Sequence, residues 1–269
     1  MEKKDIAVLG IHKPVIAMIH VQALPGTPAY KGKCNEIIEA AIKEADLYKK
    51  AGIDILMIEN MHDRPYLKRK VGPEITAMMA MIGQAIKSET QLPCGVQILA
   101  GANEESLAVA KAANLDFIRA EGFVFAHVGD EGVFESDAGS LLRYRKMIDA
   151  EDILVFTDIK KKHSAHAITS DVNLAETAHA AEFFLSDGVI VTGTSTGKAA
   201  AINDLEEVKL ATNLPVLVGS GITIENINNY MHASDALIVG SYFKKDGNWT
   251  NTIDFDRVSK FMEKAESLR

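Results

Sequence analysis

The chain has 269 residues, 47% hydrophobic and 25% charged, with a net charge of -8. That balance, with no Lys/Arg-dense stripe carrying interleaved aromatics, argues against general nucleic-acid binding. Two cysteines, Cys34 and Cys94, are too few for a disulfide framework and point to a reducing, cytoplasmic setting, and no run approaches the ~18 apolar residues of a membrane span.

The first stretch, MEKKDIAVLGIHKP, is charged and lacks the apolar core of a signal peptide. In chain order, short Val/Ile-rich runs then predict strands at 15–20 (VIAMIH), 54–60 (DILMIEN), 94–99 (CGVQIL) and 116–121 (DFIRAE). They continue at 153–159 (ILVFTDI), 188–193 (GVIVTG), 215–219 (PVLVG) and 235–240 (DALIVG). All are apolar on both parities, as strands covered on both faces must be.

Between them runs 3.6-residue spacing. Ile37, Ile38, Ala41, Ala45 and Tyr48 form one helical face that stops at Gly52, a C-terminal cap. Further helices are predicted at 74–88, 104–113, 140–150, 173–185, 204–212, 224–232 and 254–267, with Asn103 and Asp204 as N-terminal caps. Eight strand–helix units in this length predict an α/β fold, a TIM (β/α)8 barrel, as a single domain over 1–269. A doubly wound open sheet is the rival, but it usually has fewer strands. The longest irregular stretch, 122–139, reads as a functional loop after strand four.

In such a barrel, chemistry sits at the C-terminal strand ends. Polar residues recur there: His20, Glu59 with Asn60, Arg119 with Glu121, Asp158 with Lys160, and Thr192. A polar strand end is often only a turn former, but repetition across strands one, two, four, five and six weakens that explanation. Gly219-Ser220-Gly221 ends strand seven and Gly240-Ser241 ends strand eight. Small residues there bare backbone N–H groups, so the two corners are expected to cradle an anion, against the plainer alternative of tight turns with no ligand.

TGTSTGKAA (192–200) resembles half a phosphate loop but lacks NTPase spacing. In TDIKKKHSAH (157–166), Asp158, Lys160 and Lys162 share strand parity if the extended backbone persists. A lysine at a barrel mouth can hold a phosphate, act as a base or form a Schiff base; three in a row are also commonly just solvated. A divalent ion such as Mg²⁺ on His20, Glu59 and Asp158 is a further option. The spacing of His163 and His166 in a loop argues against metal binding by that pair.

Taken together, MIHVQALPGTPAY (18–30), MIENMHDRPY (57–66), VGPE (71–74), TDIKKKH (157–163), VTGTSTG (191–197), PVLVGSGITIEN (215–226) and IVGSYFKKDG (238–247) resemble the BtpA family, which includes the SgcQ-like proteins. The resemblance covers nearly the whole chain and implies a TIM barrel. It also implies links to photosystem I biogenesis, or to sugar metabolism for SgcQ-like members. By motif position, His20, Glu59, Asn60, Asp158 and His163 correspond to the family's polar pocket residues, and Gly219, Ser220, Gly221 and Gly240 to its phosphate corner. Two departures stand out: QILAGAN (97–103), where polar residues are expected after strand three, and Glu121 in place of an amide.

The expected function is an enzyme acting by proton transfer on a small phosphorylated, sugar-derived metabolite, as an isomerase, epimerase or aldolase-type lyase, with metal-dependent hydrolysis less favoured. Catalytic residues are His20, Glu59, Asp158 and Lys160. Substrate and phosphate contacts are Asn60, Arg119, His163, Thr192, Gly219, Ser220, Gly221, Gly240 and Ser241. No cofactor is assigned with certainty, a divalent metal such as Mg²⁺ stays an option, and a homo-oligomer is left open. The alternatives are a non-catalytic photosystem I assembly factor and a sensor of a phosphorylated ligand.

Overall fold

A computed structural model describes residues 10–193 and 199–269. Eight parallel strands close into a barrel in the order β1-β11-β10-β9-β7-β4-β3-β2. These are β1 (Val15–His20), β2 (Ile55–Glu59), β3 (Cys94–Gln97), β4 (Phe117–Ala120), β7 (Leu154–Asp158), β9 (Gly188–Thr192), β10 (Val216–Gly219) and β11 (Ala236–Val239). Outside them lie α1 (Cys34–Lys50), α2 (Pro73–Thr90), α3 (Asn103–Ala112), α4 (Ala138–Met147), α5 (Leu174–Phe183), α6 (Ile202–Ala211), α7 (Ile227–Ala233) and α8 (Phe255–Glu266). The predicted TIM barrel is therefore the fold.

Strand parity sorts the apolar residues into two cores. Ile16, Met18, Ile55, Met57, Phe117, Phe156, Ile190, Leu217 and Ile238 fill the barrel. Their sequence neighbours, such as Val15, Ala17, Leu56 and Val96, pack against the helices. Phe117 and Phe156 meet with ring centroids 5.4 Å apart, and glycine makes room for them. A Cβ on Gly95 would lie 2.2 Å from the Phe117 ring, and one on Gly188 would lie 2.7 Å from Phe156. Each buried aromatic contributes roughly 1.5–3 kcal/mol.

At the N-terminal rim, one device repeats. Asp54, Asp116, Asp187 and Asp235 each accept a hydrogen bond from a backbone N–H in the first or second residue of the preceding barrel strand: Val15, Cys94, Val155 and Val216, at 2.8, 2.7, 3.0 and 2.8 Å. Each aspartate is also paired with a cation, Arg269, Lys87, Arg145 and Lys209 in turn.

Three differences from the predicted elements bear on the site. The 122–139 stretch contains a hairpin, β5 (His127–Gly129) and β6 (Gly132–Phe134), and β8 (Ser164–Ala165) extends it into a three-stranded antiparallel sheet. Strand β3 stops at Gln97, short of the predicted 99. Neither predicted N-cap caps: Asn103 spends its amide on Glu121 and Asp137, and Asp204 lies inside α6. Gly52 does follow the end of α1, with φ 83°. No helix among the described residues is long and apolar enough to cross a membrane.

Candidate active site

Inward parity carries past the apolar layers to the strand ends. His20 continues Ile16 and Met18; Glu59 continues Ile55 and Met57; Arg119 follows Phe117, and Asp158 follows Phe156. His20 and Glu59 are direct partners in the β1–β2 register, and their His20 Nε2 and Glu59 Oε2 atoms lie 3.9 Å apart. Gln97 reaches the same layer from β3, its Nε2 donating to Glu121 Oε1 at 3.1 Å. The polar residue expected from strand three is thus inside that strand rather than after it.

Two ion pairs are fixed. Arg119 Nε and Nη2 donate to the two oxygens of Asp158, each at 2.8 Å, and Lys161 Nζ donates to Glu121 Oε2 at 3.1 Å. All four residues are buried. Burial works against the Arg119 charge, but Asp158, Glu59 and Glu121 more than restore it, and its pKa rises. Asp158 therefore stands behind Arg119 and positions it.

Glu59 and Lys162 remain outside those pairs. Burial raises the Glu59 pKa against the pull of Arg119 and Lys162. Burial and the Arg119 charge lower the Lys162 pKa against Glu59 and Asp158. Each shift moves its group toward neutrality, which makes the two candidates for proton transfer. Burial, reinforced by Lys244, pushes the His20 imidazole down to about 3, so it is neutral. Its Nδ1 lies 3.3 Å from the Trp249 carbonyl, an acceptor only, which assigns the proton to Nδ1 and leaves the Nε2 lone pair facing Glu59.

Lys160 does not follow the predicted parity. The extended backbone ends at Asp158, Lys160 has φ 45°, and its Nζ donates to the Thr169 carbonyl at 3.2 Å. Lys162 enters the cavity instead, with Nζ donating to Ser220 Oγ at 3.3 Å and its backbone N–H held by Thr192 Oγ1 at 3.2 Å. Asn60 faces away from the barrel interior: its amide donates to Asp63, and its carbonyl oxygen accepts from the Leu99 N–H. His163 is exposed and lies outside the cavity lining. Of the 192–200 stretch, residues 194–198 lie outside the described residues.

The cavity at the mouth has a volume of about 210 Å³. His20, Glu59, Arg119 and Lys162 line it together with Ser220, Gly221, Ile222, Thr223, Gly240 and Ser241, and Lys162 touches Ser220 directly. Ser220 and Gly221 have φ 73° and 65°, left-handed backbone that glycine adopts without strain. Gly240 is small for a different reason: a Cβ there would sit 3.3 Å from His20 Nε2. Gly219 lies beneath, outside the lining. The backbone N–H groups of Gly221, Ile222 and Ser241 have no hydrogen-bond partner among the described residues. Arg257, from the first turn of α8, completes the lining, its guanidinium 4.4 Å from the Tyr242 ring centroid. Sequence reading missed Arg257; the available signal was a cation opening the helix after the last strand.

Among the described residues, no three His, Cys, Asp or Glu side chains are grouped to hold a metal. At the mouth the reason is Arg119, which occupies both oxygens of Asp158. His20, Glu59 and Asp158 therefore do not fit an oxygen-rich Mg²⁺ site.

Residues 11–267 match the model of the BtpA family. A Caenorhabditis elegans protein whose name carries the word mitochondrial is 50% identical, over 95% of this chain and 94% of its own. The photosystem I biogenesis protein BtpA of Synechocystis is 34% identical, over 96% of this chain and 90% of its own. Among solved structures, (S)-3-O-geranylgeranylglyceryl phosphate synthase from Thermoplasma acidophilum, in complex with its substrate sn-glycerol-1-phosphate, superposes with a TM-score of 0.60 at 17% identity, covering 96% of this chain and 95% of that one. This last likeness is one of fold.

Proposed function

The chain belongs to the BtpA family, and from its site we propose an enzyme that moves a proton on a small phosphorylated, sugar-derived carbonyl compound, as an isomerase, epimerase or aldolase-type lyase. One observation carries this reading: a single cavity is lined both by residues with bare backbone donors and Arg257 and by Glu59, His20 and Lys162.

The phosphate sits against Gly221, Ile222 and Ser241, with Arg257 supplying charge. Three N–H groups and a guanidinium match an anion with several oxygens. The carbon part then points across the cavity. Glu59 and Lys162 carry the proton to and from carbon or oxygen, because each has a pKa shifted toward neutrality. Arg119, locked by Asp158, stabilises the developing oxyanion with a charge that cannot titrate away. Neutral His20 stands beside Glu59, its Nε2 3.9 Å from the carboxylate.

The structural neighbour's glycerol phosphate substrate is consistent with a phosphate at this face. The name of the Synechocystis relative ties that protein to photosystem I biogenesis. The more similar relative belongs to an animal, which has no photosystem. Chemistry at the mouth is therefore the better candidate for what such relatives share.

Incubation with a panel of sugar phosphates in deuterated water, read by mass spectrometry, tests the reading. Deuterium incorporation that Glu59→Gln or Lys162→Met reduces at least 100-fold is the expected result. Borohydride trapping of a substrate on Lys162 would select the aldolase branch. Ligand binding without exchange or trapping across the panel would leave a sensor and overturn the catalytic reading.

A further inference from the structure

A second cavity of about 500 Å³ adjoins the first, and His20 lines both. Its size falls in the range of small-molecule sites, and the proton-transfer chemistry above leaves it unused. At its wall Lys244, 1% exposed, pairs with Glu44. Nearer the rim, Lys33 and Glu36 pair at 2.6 Å. Lys31, which is exposed, leaves one positive charge over on the lining, whereas the charges deeper in are matched by the Lys244–Glu44 pair. Gln22, Asn251 and Thr252 add neutral donors and acceptors.

The chain's single tryptophan, Trp249, also lines this cavity, but its ring is already engaged. The Arg64 guanidinium lies 4.9 Å from its centroid, His62 packs at 4.9 Å, and His20 meets it edge-on at 6.0 Å. A planar base stacked on Trp249 would have to displace one of them. What remains is a polar chamber, its buried lysine already paired, able both to donate and to accept hydrogen bonds. A neutral, hydroxyl-rich group fits it best.

We propose that the second cavity binds a glycosyl or polyol moiety, so that the substrate has two parts, a phosphate at the β10–β11 corner and a hydroxyl-rich end beyond His20. The reacting carbon then lies between them, beside His20 and Glu59, in the middle of the molecule rather than at its end. This rests on the phosphate reading of the first cavity.

Trp249 fluorescence reads the test directly. Titrate inorganic phosphate, glycerol phosphate, trehalose 6-phosphate and free trehalose into the full chain and into a Gln22→Ala/Thr252→Val variant, with thermal melts confirming that the variant folds. Both substituted residues line only the second cavity. Trehalose 6-phosphate is expected to bind at least tenfold tighter than inorganic phosphate. The variant should lose that advantage while binding inorganic phosphate unchanged. If phosphate binds and the disaccharide adds nothing, or the variant keeps the advantage, the second-cavity proposal is overturned. If inorganic phosphate itself does not bind, the phosphate corner fails. Free trehalose then decides the cavity alone: variant-sensitive quenching supports it, and no quenching overturns it.

Discussion

At Lys162 burial and the neighbouring Arg119 oppose the ammonium charge, while Glu59 and Asp158 favour it. Lys160, two residues earlier, holds only a backbone carbonyl. Lys162→Met should therefore abolish proton exchange by two orders of magnitude or more, and Lys160→Met should leave it within about twofold. Of the two lysines that sequence parity offers, the sequence reading selects Lys160, whereas Lys162 is the one that lines the cavity. The choice is made by a left-handed turn at Lys160, φ 45°, which no residue type in TDIKKKH announces. A second residue-scale expectation concerns acid. His20 and His127 are held neutral by burial, at about 3 and about 4. Their folded pKa values lie below the unfolded 6.5, so the unfolded chain binds more protons, and this contribution is present above pH 6.5 and lost as pH falls through 6.5 toward 4 and 3. Asp137, pushed up to about 6 by burial against the pull of Arg69, acts in the opposite sense. Its contribution is present below 3.8 and lost as pH rises through 6. Glu44, Glu59, Asp63 and Glu105, also raised by burial, act in the same sense as Asp137, so the histidine contribution is read from a comparison of variants rather than from the net slope. Urea melts at pH 7 and pH 5 check it: His127→Phe, which keeps the stack on Phe134, should lose less stability on acidification than the wild-type chain. An equal loss in both proteins would contradict the assignment.

Elements were legible in proportion to their length and apolarity. All eight barrel strands follow Val/Ile runs, and β1, β2 and β10 stand within a residue or two of where the runs place them. The small sheet escaped notice because strands of two or three residues, one with Val128 and Val133 facing each other across a hairpin, carry too little alternation to detect. Asn103 misled as a cap because its side chain is drawn into tertiary bonds with Glu121 and Asp137. The repeating rim aspartates were present in the sequence as Asp before strands β2, β4, β9 and β11, yet their role shows only when an N–H from the start of the neighbouring strand arrives. Asp116→Ala should strand the Cys94 N–H and Lys87 and cost about 1–3 kcal/mol in urea unfolding. Catalysis should survive at temperatures where the variant stays folded, because Asp116 lies at the end of the barrel opposite the mouth. Loss of activity without loss of stability would mean that the rim is coupled to the site.

For the whole molecule, closure of the barrel does what no stretch of sequence can do alone. It brings His20 and Glu59 from the first quarter of the chain, Arg119 and Lys162 from the middle, and Ser220, Ser241 and Arg257 from the last fifth onto one cavity of about 210 Å³. The strand-end rule found the first of these because inward parity is fixed by the apolar residues before them. It also named Asn60, whose parity is outward, while motif position named His163, which lies past the last residue of β7 and outside the cavity lining. Arg257 was invisible because a helix-opening arginine is common, and only its stacking on Tyr242 aims it at the corner. The account stands on that corner binding phosphate. Isothermal titration of inorganic phosphate into the wild-type chain and into Arg257→Ala tests it most directly. Saturable binding is predicted, weakened about ten- to a hundredfold by the substitution, as expected for loss of one charge-assisted hydrogen-bonding group. No binding by the wild-type chain at tens of millimolar phosphate, or equal binding by both proteins, would contradict it.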